Sequence, residues 1–238
     1  MSGPALLTVQ QLRAGYGRAQ VLFGIDLEVA AGEVVALMGR NGAGKTTTLK
    51  SIMGLIPGAT GTIRFDGHLV NGLEAFQIAR LGLGYVPEER RIFTDLTVLE
   101  NLEVGRQAPR VGAPSWDPEK LMQLFPNLRE LQHRPGGQMS GGEQQMLTVA
   151  RTLMGNPRLV LLDEPSEGIA PKIVEDMANM IVELKQQGLS VLLCEQNLHF
   201  AQLVSDRACV IEKGQVMYQG TIAELAANEE IKRDYLAV

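Results

Sequence analysis

Val34-Val35-Ala36-Leu37-Met38, followed at once by Gly39-Arg40-Asn41-Gly42-Ala43-Gly44-Lys45-Thr46, is the stretch on which the fold turns. Five consecutive apolar residues predict a strand covered on both faces of its sheet. The eight that follow satisfy G-x-x-x-x-G-K-[ST] in the strand, loop and helix context the pattern requires. The glycines let the backbone curl so that successive N–H groups face one concavity, and a helix beginning near Lys45 adds the positive end of its dipole. Phosphate is the ligand these features favour. Gly39, Arg40, Asn41, Gly42, Ala43 and Gly44 would form the cradle, Lys45 would reach the β- and γ-phosphates, Thr46 would ligate Mg²⁺, and Thr47 would offer a further hydroxyl. The implied ligands are ATP and Mg²⁺. A glycine-rich turn that only caps a helix is the bland alternative, and the flanking strand and helix argue against it.

Working outward, two further apolar runs match Val34 to Met38: Leu159 to Leu162 and Val191 to Cys194. The first ends in Asp163-Glu164-Pro165. Asp163 is placed to hold Mg²⁺, and strand alternation projects Glu164 to the other side, where it could polarise a water attacking the γ-phosphate. An acidic pair can also simply solvate a strand end; the phosphate loop upstream favours the catalytic reading. Helical patterns lie between the strands, over Lys45 to Met53, Ser140 to Leu153 and Pro171 to Gln187, the last with Ile173, Met177, Met180, Ile181 and Leu184 on one face. Asp117-Pro118 reads as a helix start and Ser140-x-x-Glu143 as a capping box. Period-two spacing over Leu6 to Leu12 and Val21 to Val29 predicts two half-buried strands, and Lys213-Gly214 predicts a hairpin turn. The stretch from about Tyr85 to Ser140 lacks strong strand runs and reads as a helical insertion. The expected class is α/β, with an N-terminal antiparallel β region.

With 238 residues, 45% of them hydrophobic, the chain can bury a real core, and its net charge of −5 without blocks of like charge excludes the basic footprint that nucleic-acid binding needs. Cys194 and Cys209 sit in apolar runs and read as reduced core thiols. The start at Met1-Ser2-Gly3-Pro4-Ala5 lacks a basic leader, and no window reaches the roughly 18 apolar residues of a membrane span.

Met139-Ser140-Gly141-Gly142-Glu143-Gln144-Gln145 supplies the family resemblance. It is similar to the LSGGQ signature of the ABC ATPases, differing at Met139 and Glu143, and the order of phosphate loop, signature and acidic strand covers nearly the whole chain. Hydroxyl and amide donors of Ser140, Gly141 and Gly142 at a helix start make an anion site. The capping box explains Ser140 and Glu143 but not two glycines in a first helical turn. The resemblance implies a P-loop NTPase core of the ABC ATPase type over about 1–84 and 146–238, with a helical subdomain over about 85–145. It implies that the signature addresses nucleotide held by an opposing subunit, so the chain works as a dimer. It also places adenine on Tyr16 and gives Glu88 the position of a glutamine that contacts Mg²⁺, water and the membrane partner.

Departures from the family pattern narrow the group. Gln196 stands where the family places a histidine contacting the γ-phosphate, and Ser166-Glu167-Gly168-Ile169-Ala170-Pro171 lacks the usual aspartate near Ile169, in a loop that normally connects the two active sites. His199 reads as a surface or packing residue. Together with Glu88-Glu89-Arg90-Arg91-Ile92-Phe93 and Glu195-Gln196-Asn197, these features resemble the shorter ATP-binding subunit of branched-chain amino acid importers and related urea and amide importers. That resemblance implies a second, non-identical ATPase subunit, two transmembrane permease subunits, a periplasmic or extracellular solute-binding protein, and a peripheral place on the cytoplasmic face of the inner membrane. Arg90 and Arg91 are candidates for contacting the permease, with Gln196 slowing hydrolysis at this chain's own site. A soluble ABC ATPase of an assembly system and a nucleotide-responsive regulator with little turnover are the alternatives.

Overall fold

The computed structural model describes residues 5–236; Met1 to Pro4, on which the leader reading partly rests, lie outside them. In chain order the elements are β1 (Ala5–Tyr16), β2 (Ala19–Ala30), β3 (Val34–Met38), α1 (Lys45–Ile52), β4 (Thr60–Phe65), β5 (His68–Leu69), α2 (Ala75–Leu81) and β6 (Leu83–Val86). They continue with α3 (Val98–Gly105), α4 (Pro118–Leu124), α5 (Pro126–Glu130), α6 (Gly141–Leu153), β7 (Leu159–Asp163), α7 (Pro171–Gln186), β8 (Ser190–Glu195), α8 (Leu198–Val204), β9 (Arg207–Glu212), β10 (Gln215–Thr221) and α9 (Ile222–Ala227).

Two sheets result. A six-stranded sheet has the order β10-β9-β3-β8-β7-β6, parallel except for β10, and a four-stranded antiparallel sheet has the order β2-β1-β4-β5. Every residue of β3, β7 and β8 is buried, because layers cover both faces. Successive residues serve different layers: Val35, Leu37 and Leu161 pack with Leu49 and Ile52 of α1 and with the antiparallel sheet, whereas Val160 and Leu162 pack with Leu147 of α6 and Ile181 of α7. Continuous apolar runs are what two-sided burial demands.

The expected strands and helices largely recur, with two corrections. Tyr85 is not the start of a helical stretch but lies in β6, which pairs in parallel with β7 through Tyr85 and Leu161. This strand has four residues, includes Gly84 and sits at the sheet edge, so it lacks the long apolar run that marks β3. The first strand extends five residues beyond Leu6 to Leu12 in total, because Gln11 at φ 51° forms a bulge that shifts the register and restores inward placement to Leu12 and Ala14. Gln11 is held there by its own N–H and side-chain amide, which donate to Asp26 at 2.7 and 2.6 Å.

Caps follow the sequence closely. Asp117 accepts the Lys120 N–H at the start of α4, with Pro118 next to it, and Ser140 and Glu143 bond reciprocally at the start of α6. Lys213 and Gly214 both have positive φ in the turn between β9 and β10.

Candidate nucleotide site

The loop between β3 and α1 curls where the backbone leaves no room for a side chain at its first residue. A Cβ on Gly39 would stand 2.3 Å from the Ile211 carbonyl oxygen, and Gly44 enters α1 at φ 110°. Val21, Asn41, Gly42, Gly44, Lys45, Thr46 and Thr47 line a cleft of about 450 Å³ together with three acids, Glu88, Glu164 and Glu167. Phosphate loop and acidic strand end therefore meet.

Lys45 is 4% exposed, and its ammonium is fully engaged. It donates to the Gly39 and Arg40 carbonyls at 2.8 and 3.3 Å and pairs with Glu164 Oε1 at 3.0 Å. Thr46 Oγ1 donates to Asp163 Oδ1 at 2.9 Å, and the Tyr85 hydroxyl donates to Asp163 Oδ2 at 3.1 Å. The sequence expectation that Glu164 leaves the strand on the opposite side from Asp163 does not hold. The strand ends at Asp163, and Glu164 takes φ 47°, which turns its side chain back onto Lys45. Both carboxylates serve neighbouring residues at the start of α1.

The charges in the cleft are strongly linked. Burial pushes the Asp163 carboxyl up, partly opposed by its hydrogen bonds from Thr46 and Tyr85. Burial also acts upward on Glu164, but hydrogen bonds with Glu167 and Lys45 and the Lys45 charge outweigh it and leave Glu164 below the usual range. Its neighbour Glu167 is raised to about 7, first by the hydrogen bond to Glu164, then by burial and the surrounding charges of Glu164, Glu88 and Glu195. Burial and the Asp163 charge push the Tyr85 phenol far up, so it stays a donor. Tyr85 and Glu167 are site residues the sequence reading did not single out. Their signal lay in adjacency to Glu88 and Glu164.

Other candidates lie elsewhere. Tyr16 stands 52% exposed at the β1–β2 turn and does not line the cleft. Arg40 points outward, its guanidinium 3.4 Å from the Arg233 carbonyl oxygen. Gln196 and the segment Ser140 to Glu143 also lie off the cleft lining. At the signature, a Cβ on Gly141 would meet the Arg90 guanidinium at 2.4 Å, and one on Gly142 would meet Ile173 at 3.1 Å. The Arg90 guanidinium is the far end of a flexible side chain and can yield, whereas the Ile173 side chain leaves a Cβ at Gly142 less room. His199 is exposed, and Cys194 and Cys209 are buried free thiols raised by burial, the latter to about 12.

The chemistry of this donor set suits Mg²⁺. Among the described residues no group of three or more His, Cys, Asp or Glu side chains forms a metal cage. A hydroxyl and a carboxylate meeting at the phosphate loop are instead the sparse hard-oxygen set that Mg²⁺ takes when phosphates and waters complete its shell.

Comparison with known proteins places the chain. The sequence model of the ABC transporter family matches residues 22–167. The high-affinity branched-chain amino acid transport ATP-binding protein BraG of Pseudomonas aeruginosa is 41% identical over 231 residues, 97% of this chain and 99% of the relative. The lipopolysaccharide export system ATP-binding protein LptB of Escherichia coli is 36% identical over 235 residues, 98% and 97% of the two chains. The ADP conformation of MJ1267, an ATP-binding cassette of an ABC transporter, superposes with a TM-score of 0.79 at 25% identity, covering 96% of this chain and 97% of that one. The chain belongs to the ABC transporter family. Within it, it is an ATP-binding ATPase subunit. Among the described residues no helix is long and apolar enough to cross a membrane.

Proposed function

We propose that this subunit drives import of branched-chain amino acids or a related small solute such as urea or a short amide. The observation that carries this reading is the full-length similarity to BraG, joined to the unusual set Glu88, Ser166 to Pro171 and Gln196. In the proposed cycle Lys45 and the amides of Gly39 to Gly44 hold the β- and γ-phosphates, while Tyr16 stacks on adenine. Thr46 and Asp163 would hold Mg²⁺ through oxygen, aided by Glu88. Mg²⁺ would supply neutralisation of phosphate charge. Phosphate draws Lys45 away from Glu164, and the freed carboxylate accepts a proton from the water whose oxygen bonds to the γ-phosphorus as the bond to the β-phosphate oxygen breaks, leaving ADP and phosphate. Ser140, Gly141, Gly142 and Glu143 address nucleotide on a second, non-identical ATPase subunit.

The catalytic core in this scheme spans about 1–86 and 146–238, its first boundary moved past β6 because that strand pairs with β7. Two permease subunits would dock from the membrane, placing the chain at its cytoplasmic face, with a solute-binding protein on the far side. The surface suited to the permease is a groove lined by Leu55, Phe76, Phe93 and Val104, each between 45% and 58% exposed. Contiguous apolar surface of this kind marks a partner site. Arg91 lies exposed, its carbonyl accepting from Arg151 of the same groove at 2.7 Å, whereas Arg90 is half-buried.

Co-expression with its membrane subunits, followed by reconstitution in proteoliposomes, tests the reading. ATP hydrolysis should rise when the solute-binding protein carries its amino acid or amide. Stimulation by lipopolysaccharide instead would favour the second reading, export, which the full-length similarity to LptB supports.

A further inference from the structure

Glu195 ends β8 at 1% exposure, and nothing in the cycle above uses it. Its two oxygens serve two different loops. Oε1 accepts the backbone N–H groups of Gln196 and Asn197 at 2.9 and 3.0 Å, and Oε2 accepts the Ser166 hydroxyl at 2.7 Å. Ser166 lies two residues after Glu164, on the turn that also carries Glu167. The residue before Glu195 belongs to the same junction, since the Glu164 N–H donates to the Cys194 carbonyl at 3.0 Å. Two bonds thus fasten the turn bearing the catalytic carboxylate to the end of β8.

A buried carboxylate is a costly way to hold two loops together. Desolvation of one ion costs several kcal/mol in rough terms, and three well-made hydrogen bonds are the means of recovering it. Glu164 and Glu167 add further acidic groups close by, and burial raises the Glu195 carboxyl against the pull of its three donors. Support for the entry to α8 alone does not call for this group: Asn197 already caps that helix by accepting the Phe200 N–H at 3.1 Å. The bond that entry support leaves unexplained is the one to Ser166.

We propose that Glu195 is a positioning residue for ATP hydrolysis, tying the Glu164 to Glu167 turn to the backbone of Gln196 so that the general base and the switch position keep one fixed spacing. It acts through Ser166 and touches no substrate. The inference rests on Glu164 being the general base.

Three variants test it in the complex purified with its membrane subunits and with the second ATPase subunit made inactive, so that turnover reports on this chain's own site. Glu195→Ala should lower kcat by roughly tenfold to a hundredfold, the effect of about 1 Å of misplacement, while KM for ATP stays within about threefold because Lys45, Thr46 and Thr47 are untouched. Glu195→Gln should recover most of kcat: its amide oxygen can accept both N–H groups, and its NH₂ can donate to the Ser166 oxygen. Ser166→Ala cuts the link alone and should reproduce the kcat loss with an unchanged melting temperature. Combined with Glu195→Ala it should add nothing further. If Glu195→Ala fails to fold, Ser166→Ala carries the test by itself. Full activity of Ser166→Ala, additive losses, or a kcat loss matched by an equal rise in KM would each overturn the proposal. Failure of the general-base reading shows separately, as Glu164→Gln retaining hydrolysis in the otherwise unaltered chain.

Discussion

Replacing Glu164 by glutamine should tighten ADP binding even as it stops hydrolysis. Lys45 and Glu164 are both almost wholly buried, at 3% and 7% side-chain exposure, and lie 3.0 Å apart. Their direct attraction is about 5 kcal/mol at an effective dielectric of about 20, and an incoming phosphate must take Lys45 from this partner. The net loss is smaller, because phosphate replaces carboxylate; a charge-assisted hydrogen bond is worth about 1.5–3 kcal/mol net. Removing the competition, and with it the repulsion between Glu164 and phosphate, should therefore raise ADP affinity roughly tenfold to a hundredfold. ADP is the ligand of choice, since it lacks the γ-phosphate that would join two subunits and so reports on Lys45 alone. Isothermal titration with the full-length chain gives the ratio directly. Without nucleotide the variant should melt earlier than the parent, because the buried ammonium loses its counter-charge and keeps only neutral acceptors, the Gly39 and Arg40 carbonyls and the new amide oxygen, and ADP should restore the difference. Equal or weaker ADP binding by Glu164→Gln would refute the competition argument.

Glu167 should make stability fall with rising pH. Its carboxyl moves from 4.5 to about 7 on folding, so the folded chain holds more protons between those values and stability drops as pH climbs through that window. Glu167→Gln should flatten the melting temperature over that range and exceed the parent above pH 7. Asn101 is fully buried, accepts the Phe93 N–H and donates to the Phe93, Leu96 and Thr97 carbonyls. Asn101→Ala should cost about 3 kcal/mol, read as a fall of roughly 6–12 °C in calorimetry. Gly39→Ala should abolish nucleotide binding in the same titration, since its Cβ would lie 2.3 Å from a backbone oxygen that cannot yield cheaply.

The local features were legible because local physics decides them. A phosphate loop needs its glycines, lysine and threonine contiguous, and β3, β7 and β8 announce themselves through unbroken apolar runs because both their faces are covered. Helix starts at Asp117 and Ser140 were equally plain, since a cap is a bond across three residues. The β4–β5 hairpin was not read from the sequence, although Asp66-Gly67, both with positive φ, marks its turn. A two-residue partner strand leaves little alternation to see.

What tertiary structure alone decided concerns which acids face which partners. Strand alternation set Glu164 only on the other side of the strand from Asp163; its left-handed backbone brought it to Lys45, more than a hundred residues earlier in the chain. Gly141 and Gly142 lie against Arg90 and Ile173, contacts no local pattern announces. Tyr85 on Asp163, and Glu195 on Ser166, join residues 78 and 29 positions apart. Sequence determined that this chain binds phosphate and from which residues the cradle is built. The spacing of its carboxylates depends on how β3, β6, β7 and β8 lie side by side, and that register is set by packing between layers, which no local pattern encodes.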